Sequence, residues 1–150
     1  TVPRRAFTLR EFSMPRNLIL GTAFNYGIEQ VRVFVESLRR HYDGEAILLV
    51  SSRSGSELAD YLRRRGIRGV AFDCAYWMTV DLQFARYIRY AELLREATQP
   101  HDRVMLSDVG DVLFQADPFA GLPDGELLLF LEDERTRIGD SPARHSASQT

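Results

Sequence analysis

The sequence predicts an α/β domain, Rossmann-like, with a mostly parallel sheet and flanking helices. Three observations carry that expectation. Short apolar runs of strand length alternate with segments whose apolar residues recur at helical spacing, which is the pattern of βαβ units. Glycine, proline and capping residues punctuate the pattern where one element should give way to the next. Finally, 150 residues of which 45% are hydrophobic suffice for one packed core without disulfides or a structural metal, in keeping with a single cysteine, Cys74.

Residues 17–21 open the order as the first strand, Leu and Ile bounded by glycine. Ile28, Val31, Val35 and Leu38 then share a helix face, and Asp43-Gly44 is expected to end that helix with Gly44 as a left-handed cap. Residues 46–50 are the second strand. Ser54 and Glu57 have the spacing of a capping box ahead of Leu58, Tyr61 and Leu62, and Gly66 closes this second helix. The third strand is expected over residues 68–72. A longer helix follows over about residues 80–97, with Phe84, Ile88, Ala91 and Leu94 on one face and Pro100 as its stop. Residues 103–106 are the fourth strand, Asp117-Pro118 starts a short helical turn with Asp as cap, and residues 126–131 supply the last strand. Residues 1–16 read as an Arg-rich arm, 17–133 as the α/β domain and 134–150 as a polar tail, without internal repeats or a dividing linker.

Charge excludes several functions. The 19 basic and 21 acidic residues nearly cancel, so a global electrostatic grip on nucleic acid or anionic lipid is not expected. All of the basic residues are Arg, and Lys is absent. That removes a P-loop, whose Lys holds nucleotide phosphates, and pyridoxal phosphate or Schiff-base chemistry, which needs a lysine amine. Receiver domains and haloacid-dehalogenase-like phosphatases, which also rely on Lys, drop out with them. No run approaches the ~20 apolar residues of a membrane span. The arm lacks a signal peptide's apolar region, so a cytoplasmic location is the default expectation.

The segment that carries chemistry is Ser107-Asp108-Val109-Gly110-Asp111-Val112-Leu113-Phe114-Gln115-Ala116-Asp117-Pro118-Phe119. An apolar strand delivers two carboxylates at its carboxyl end, where open α/β sheets bind ligands, and Gly110 between them is expected to let the backbone turn so that both side chains converge. Paired carboxylates suit Mg²⁺ or Mn²⁺, which take oxygen ligands and keep positions open for phosphate and water. A solvated acidic turn capping a strand is the competing structural reading.

This segment resembles the D-x-D region of GT-A-fold, nucleotide-sugar-dependent glycosyltransferases, particularly the variant in which an Asp-Val-x-Asp-Val run precedes Phe-Gln and Asp-Pro-Phe. Leu18-Ile19-Leu20-Gly21-Thr22-Ala23-Phe24-Asn25, Phe84-Ala85-Arg86-Tyr87 and Leu128-Leu129-Phe130-Leu131-Glu132-Asp133 occur in the expected order, so the resemblance spans residues 17–133. It implies a donor-binding domain for a nucleotide-diphosphate sugar, with a UDP-sugar as the expected donor and Mn²⁺ or Mg²⁺ as cofactor. Asp108 and Asp111 would hold the ion and touch the donor's ribose or diphosphate; two residues rather than one separate the acids, a departure from the simple motif that leaves the direct ligand open between them, with Asp111 favoured. Thr22, Ala23, Phe24, Asn25 and Tyr26 would line the base, with a purely structural loop as the alternative. Arg86 would sit near the diphosphate and assist its departure; Arg89, which shares its helix face, has pairing with Glu92 or Glu96 as its ordinary alternative.

Such catalytic domains are usually longer, so the chain is expected to be an incomplete unit, with residues 134–150 a tail or the start of a missing acceptor half. Two functions follow as expectations: a metal-dependent glycosyltransferase domain, acting on an unidentified glycan, protein or small-molecule acceptor, or a nucleotide-sugar-binding or interaction module without turnover. His41, His101 and His145 lack metal-ligand spacing and are expected to be structural or exposed. Asp73 is expected in a turn, Tyr76-Trp77-Met78 is open between packing and a flap, and Arg63-Arg64-Arg65 reads as a solvated helix end that matches the helix dipole.

Overall fold

The computed structural model describes residues 15–72, 82–123 and 125–128. Within them the elements run β1 (Asn17–Ala23), α1 (Ile28–His41), β2 (Glu45–Ser51), α2 (Ser56–Arg64), β3 (Arg68–Phe72), α3 (Leu82–Glu96) and β4 (Arg103–Ser107). The strands form one sheet in the order β3-β2-β1-β4. Every neighbouring pair is parallel, with Leu20 opposite Ile47 on one side of β1 and opposite Leu106 on the other.

Alternate residues of the central strands feed two cores. Ile19, Ala23, Ala46, Leu48 and Val50 face α1 and α2, where Val31, Phe34, Val35, Leu38, Leu58 and Leu62 are buried against them. Leu18, Leu20, Ile47 and Leu49 face the other way and meet Ala85, Tyr90 and Leu93 of α3. Helices on both faces explain why the inner stretches of these strands, Leu18 to Leu20 of β1 and Ala46 to Val50 of β2, are unbroken apolar runs. The α/β architecture with a parallel sheet is therefore present as expected, and the described strands are all parallel rather than mostly so.

Local chemistry sets the helix ends, and two caps differ from expectation. α1 starts after Gly27, whose N–H donates to the side-chain Oε1 of Gln30 at 2.7 Å. It ends at Tyr42, an extended residue (φ −148°) whose N–H still reaches the carbonyl of Leu38. Gly44 is not left-handed; a side chain there would run into the Tyr42 ring, and that close approach is what requires glycine. The capping work falls instead to Arg39. Its Nε donates to the carbonyl of Arg65 at 2.7 Å, Nη2 to Gly66 at 2.9 Å, and Nη1 to both Tyr42 and Gly44 at 3.0 Å. One guanidinium thus satisfies carbonyls beyond the ends of α1 and α2 together. Its pKa is lowered by burial, which the charges of Tyr42 and Asp43 offset in part.

The Ser54–Glu57 capping box does not form. Gly55 is the N-cap of α2 and makes no side-chain cap bond. Ser54 is consumed by a preceding turn in which its N–H donates to the Ser51 carbonyl at 2.9 Å, so the helix starts one residue too late for the box. The other end behaves as expected. Gly66 sits at φ +65° while Ile67 N–H reaches Leu62 and Gly66 N–H reaches Arg63, the paired bonds of a Schellman motif.

α3 docks on a different face from the one expected. Phe84, Ile88 and Leu94 are exposed, whereas Ala85, Tyr90 and Leu93 are buried. The physical reason is polar: Tyr90 shares a 2.6 Å hydrogen bond with Thr22, and Arg86 reaches Asp108, which turns the Arg86–Tyr90 side inward. Asp117-Pro118 does start a single turn, Phe119 N–H donating to Asp117 Oδ1 at 2.9 Å. Residues 126–128 are not in a strand, and the rest of the expected last strand lies outside the described residues, as do Cys74, Asp73, Tyr76-Trp77-Met78 and His145. No helix among the described residues is long and apolar enough to cross a membrane.

Arg39→Lys should lower stability by about 2 kcal/mol or more, because a single ammonium cannot span carbonyls that a planar fork reaches, and bonds to a charged donor are each worth roughly 1.5–3 kcal/mol. Urea unfolding of the two proteins measures it. Tyr42 gives a pH signature. Its hydroxyl donates to the Asn17 carbonyl at 2.6 Å. Burial, opposed by Arg39 and aided by Asp117, Glu45 and Asp43, raises its pKa to about 12. The unfolded phenol ionises near pH 10, so this contribution is complete below pH 10 and is lost as pH rises from there through about 12. The unfolding midpoint of the wild type should fall more steeply over that window than that of Tyr42→Phe.

Candidate functional site

The strand order reverses at β1. β2 and β3 lie to one side of it and β4 to the other, so the loops leaving β1 and β4 part at their carboxyl ends and open a crevice there. A cleft of about 610 Å³ occupies this position, lined by Thr22, Phe24 and Tyr26 after β1, Asp108 to Asp111 after β4, Arg86 of α3, and Glu29, Gln30 and Val33 of α1.

The loop after β4 divides its residues between anchoring and exposure. Val109 is buried against Gly21, where a Cβ would lie 2.8 Å from the valine Cγ2 and 2.7 Å from Leu48 Cδ2. Phe114 is buried edge-on against Phe34 with ring centroids 5.1 Å apart, and its N–H donates at 3.1 Å to the buried Ser37 hydroxyl on α1. Phe119 packs on Tyr42 and its carbonyl accepts from Arg103. Asp108, just before the first of these anchors, and Asp111, between Val109 and Phe114, stay exposed. Gly110 lies in the bend that brings Asp108 and Asp111 to the same cleft without a left-handed φ, and a Cβ there would sit 2.9 Å from the Tyr26 hydroxyl. The glycine lets Tyr26 lie against the loop.

Arg86 and Arg89 take different partners despite sharing a helix face. Arg89 pairs within α3, with Glu92 at 2.9 Å and Glu96 at 3.1 Å. Arg86 instead donates from Nη1 to Asp108 Oδ1 at 2.5 Å and from Nη2 to the Tyr87 hydroxyl at 3.3 Å, with its guanidinium 5.1 Å from the Tyr87 ring centre. Burial works against its charge, but the bond to Asp108 and the charge of that carboxylate outweigh it and raise the Arg86 pKa. Its Nε is buried without a hydrogen-bond partner. The helix below it is fixed by the Tyr90–Thr22 bond; burial raises the Tyr90 pKa even though that bond lowers it.

Of the residues read from the sequence, the fold brings Thr22, Phe24, Tyr26, Arg86, Asp108 and Asp111 to one cleft. Ala23 is fully buried in the core against α1, and Asn25 is exposed at φ 59° in the turn closed by Tyr26 N–H and the Ala23 carbonyl, so neither lines it. Asn25 serves the backbone instead, since Asn tolerates the left-handed region. Glu29, Gln30 and Val33 were missed. Val33 carried a signal, because it lies off the Ile28, Val31, Val35, Leu38 stripe and yet is apolar, and it is 57% exposed. His41 is exposed at the end of α1, whereas the His101 side chain is buried at the other end of the sheet, its Nε2 2.9 Å from Glu45.

Among the described residues, the cleft is lined by three carboxylates (Glu29, Asp108 and Asp111) and one guanidinium. No three His, Cys, Asp or Glu side chains among the described residues are gathered into a metal-holding group. Comparison with known proteins brings no match: no family model, no curated protein and no solved structure is significantly similar to this chain.

Gly21→Ala tests the anchoring of the acidic loop. A methyl wedged between Leu48 and Val109 should cost about 1–3 kcal/mol in unfolding free energy, and Gly21→Val should cost more.

Proposed function

We propose that the cleft binds a nucleotide-diphosphate sugar together with Mn²⁺ or Mg²⁺, and that the chain is the donor-binding part of a GT-A-type glycosyltransferase that passes the sugar to an acceptor hydroxyl. One observation carries the reading. At the point where the strand order reverses, the cleft sets exposed Asp108 and Asp111 beside an arginine whose buried Nε lacks an acceptor. A diphosphate alone would meet three carboxylates there and be repelled. With a divalent cation its charge is largely neutralised, and Arg86 on the same wall can donate to a phosphate oxygen. The donor set fits such an ion, since Mg²⁺ takes one or two carboxylates and completes its shell with phosphate oxygens and water.

The residues divide the work by chemistry. Phe24, held edge-on by Phe72 at 6.2 Å, and Tyr26, lying against Gly110, offer aromatic surface to a base. Gln30 is an amide on the same wall. Asp108 and Asp111 would hold the ion, which when bound supplies charge neutralisation at the leaving diphosphate. Arg86 would donate to the departing phosphate oxygens, a cation placed where negative charge develops. Thr22, tied to Tyr90, holds the loop after β1 and α3 in register, so that arginine and base wall keep their spacing.

The test is thermal unfolding of the full chain with a panel of nucleoside diphosphates, with and without Mn²⁺, beside a donor-hydrolysis assay. A stabilising shift with one diphosphate that requires the metal is expected, as selective binding stabilises the fold by mass action. Asp111→Ala should weaken that metal-dependent binding by about tenfold or more. Metal-independent binding that Asp111→Ala leaves unchanged would overturn the metal role. Binding without sugar release from any donor would point to a nucleotide-sugar-binding module instead.

A further inference from the structure

We infer that the Arg86–Asp108 ion pair is a charge-exchange gate, which makes cation and anion binding in the cleft mutually dependent. The inference rests on the donor-site reading above and goes beyond it. Arg86 Nη1 already occupies Oδ1 of Asp108, one of the carboxylates offered to a cation. A divalent ion approaching Asp108 alone would sit beside the guanidinium and meet like charge. An anion approaching Arg86 alone would sit beside Asp108 and Asp111 and meet like charge as well. Neither ligand opens the pair without penalty.

Together they can. The anion takes the Arg86 Nη1 donor that Asp108 gives up, and the cation takes the released Asp108. Each ion then removes the repulsion the other would feel. The surroundings confine the exchange to the side chain. α3 is pinned one turn further along by the Tyr90–Thr22 bond, and the Tyr87 ring and hydroxyl support the far side of the guanidinium. The pair also borders a second, smaller cavity of about 90 Å³ lined by Arg86, Tyr87, Tyr90, Leu106, Ser107 and Asp108. Opening the pair therefore joins two cavities that share it as a wall. The ligand class this favours carries adjacent anionic oxygens chelated by a divalent cation, with a further polar group extending past them.

Isothermal titration of the full chain with Mn²⁺ alone, UDP alone and both together tests the gate. In the wild type each is expected to raise the affinity for the other by about tenfold or more, within the usual range of coupling between sites. Arg86→Gln should bind Mn²⁺ alone several-fold more tightly than the wild type and lose most of the coupling. Asp108→Asn breaks the same pair from the other side without altering α3. It should bind UDP alone more tightly and lose the response to Mn²⁺, and Asp111→Asn, which removes the same charge without freeing Arg86, should gain less for UDP. Complexation of Mn²⁺ by free UDP is common to all four proteins and cancels in the comparison. Coupling that persists undiminished in Arg86→Gln, or equal gains for UDP in Asp108→Asn and Asp111→Asn, would overturn the gate while leaving the donor site standing. Absence of UDP binding in every protein, with or without Mn²⁺, would overturn the donor-site reading and the gate with it.

Discussion

The structure depends on β1. It is paired on both edges and covered on both faces, so Leu18 to Leu20 are apolar in either direction, Thr22 has its hydroxyl bonded to Tyr90, and the backbone must accept a neighbour at close range. Leu18 and Leu20 meet one layer, Ile19 and Ala23 the other, and Gly21 leaves room for Val109 where the chain leaves β4. Because the strand order reverses at this strand, its carboxyl end is also where the crevice opens. The same burial that stabilises the sheet thus decides where a ligand can enter.

From that constraint the loop after β4 follows. Its apolar members are fasteners: Val109 to β1, Phe114 to α1, and Phe119 to the start of β4 and the end of α1. Its acidic members are what the fasteners hold out. Fastened at three buried points, the loop carries its exposed carboxylates to the wall of the cleft. Asp108 is held further by Arg86, at the expense of leaving one guanidinium donor without an acceptor.

Arginine does three kinds of work in a chain that has no lysine. Arg39 closes off carbonyls past two helix ends at once, a task that needs a planar fork with donors on several sides. Arg89 pairs with neighbours on its own helix and contributes to its surface. Arg86, three residues earlier, leaves its helix and joins α3 to the acidic loop. Identical side chains on one helix face are separated by what the opposing element presents to each.

The sequence by itself determined the alternation of strands and helices, because apolar period and glycine punctuation are local properties. Gly66 as a helix stop and Asp117-Pro118 as the start of a turn were legible for the same reason. It also brought Asp108 and Asp111 forward, since two carboxylates at a strand end form a compact pattern, whereas Thr22, Phe24, Tyr26 and Arg86 came forward only through the resemblance of their segments to nucleotide-sugar glycosyltransferases. Other features were decided only by the tertiary structure. The face on which α3 docks was set by two polar side-chain contacts across the fold, and these outweighed the helix's own stripe of Phe84, Ile88 and Leu94. The cap after α1 came from a guanidinium reaching four carbonyls, two of them 26 and 27 residues away, and Gly44 answered to the Tyr42 ring. Glu29, Gln30 and Val33 joined the cleft because α1 happens to flank it. Spacing along a chain reports which residues share a face, whereas the partner that face meets depends on contacts between residues distant in sequence.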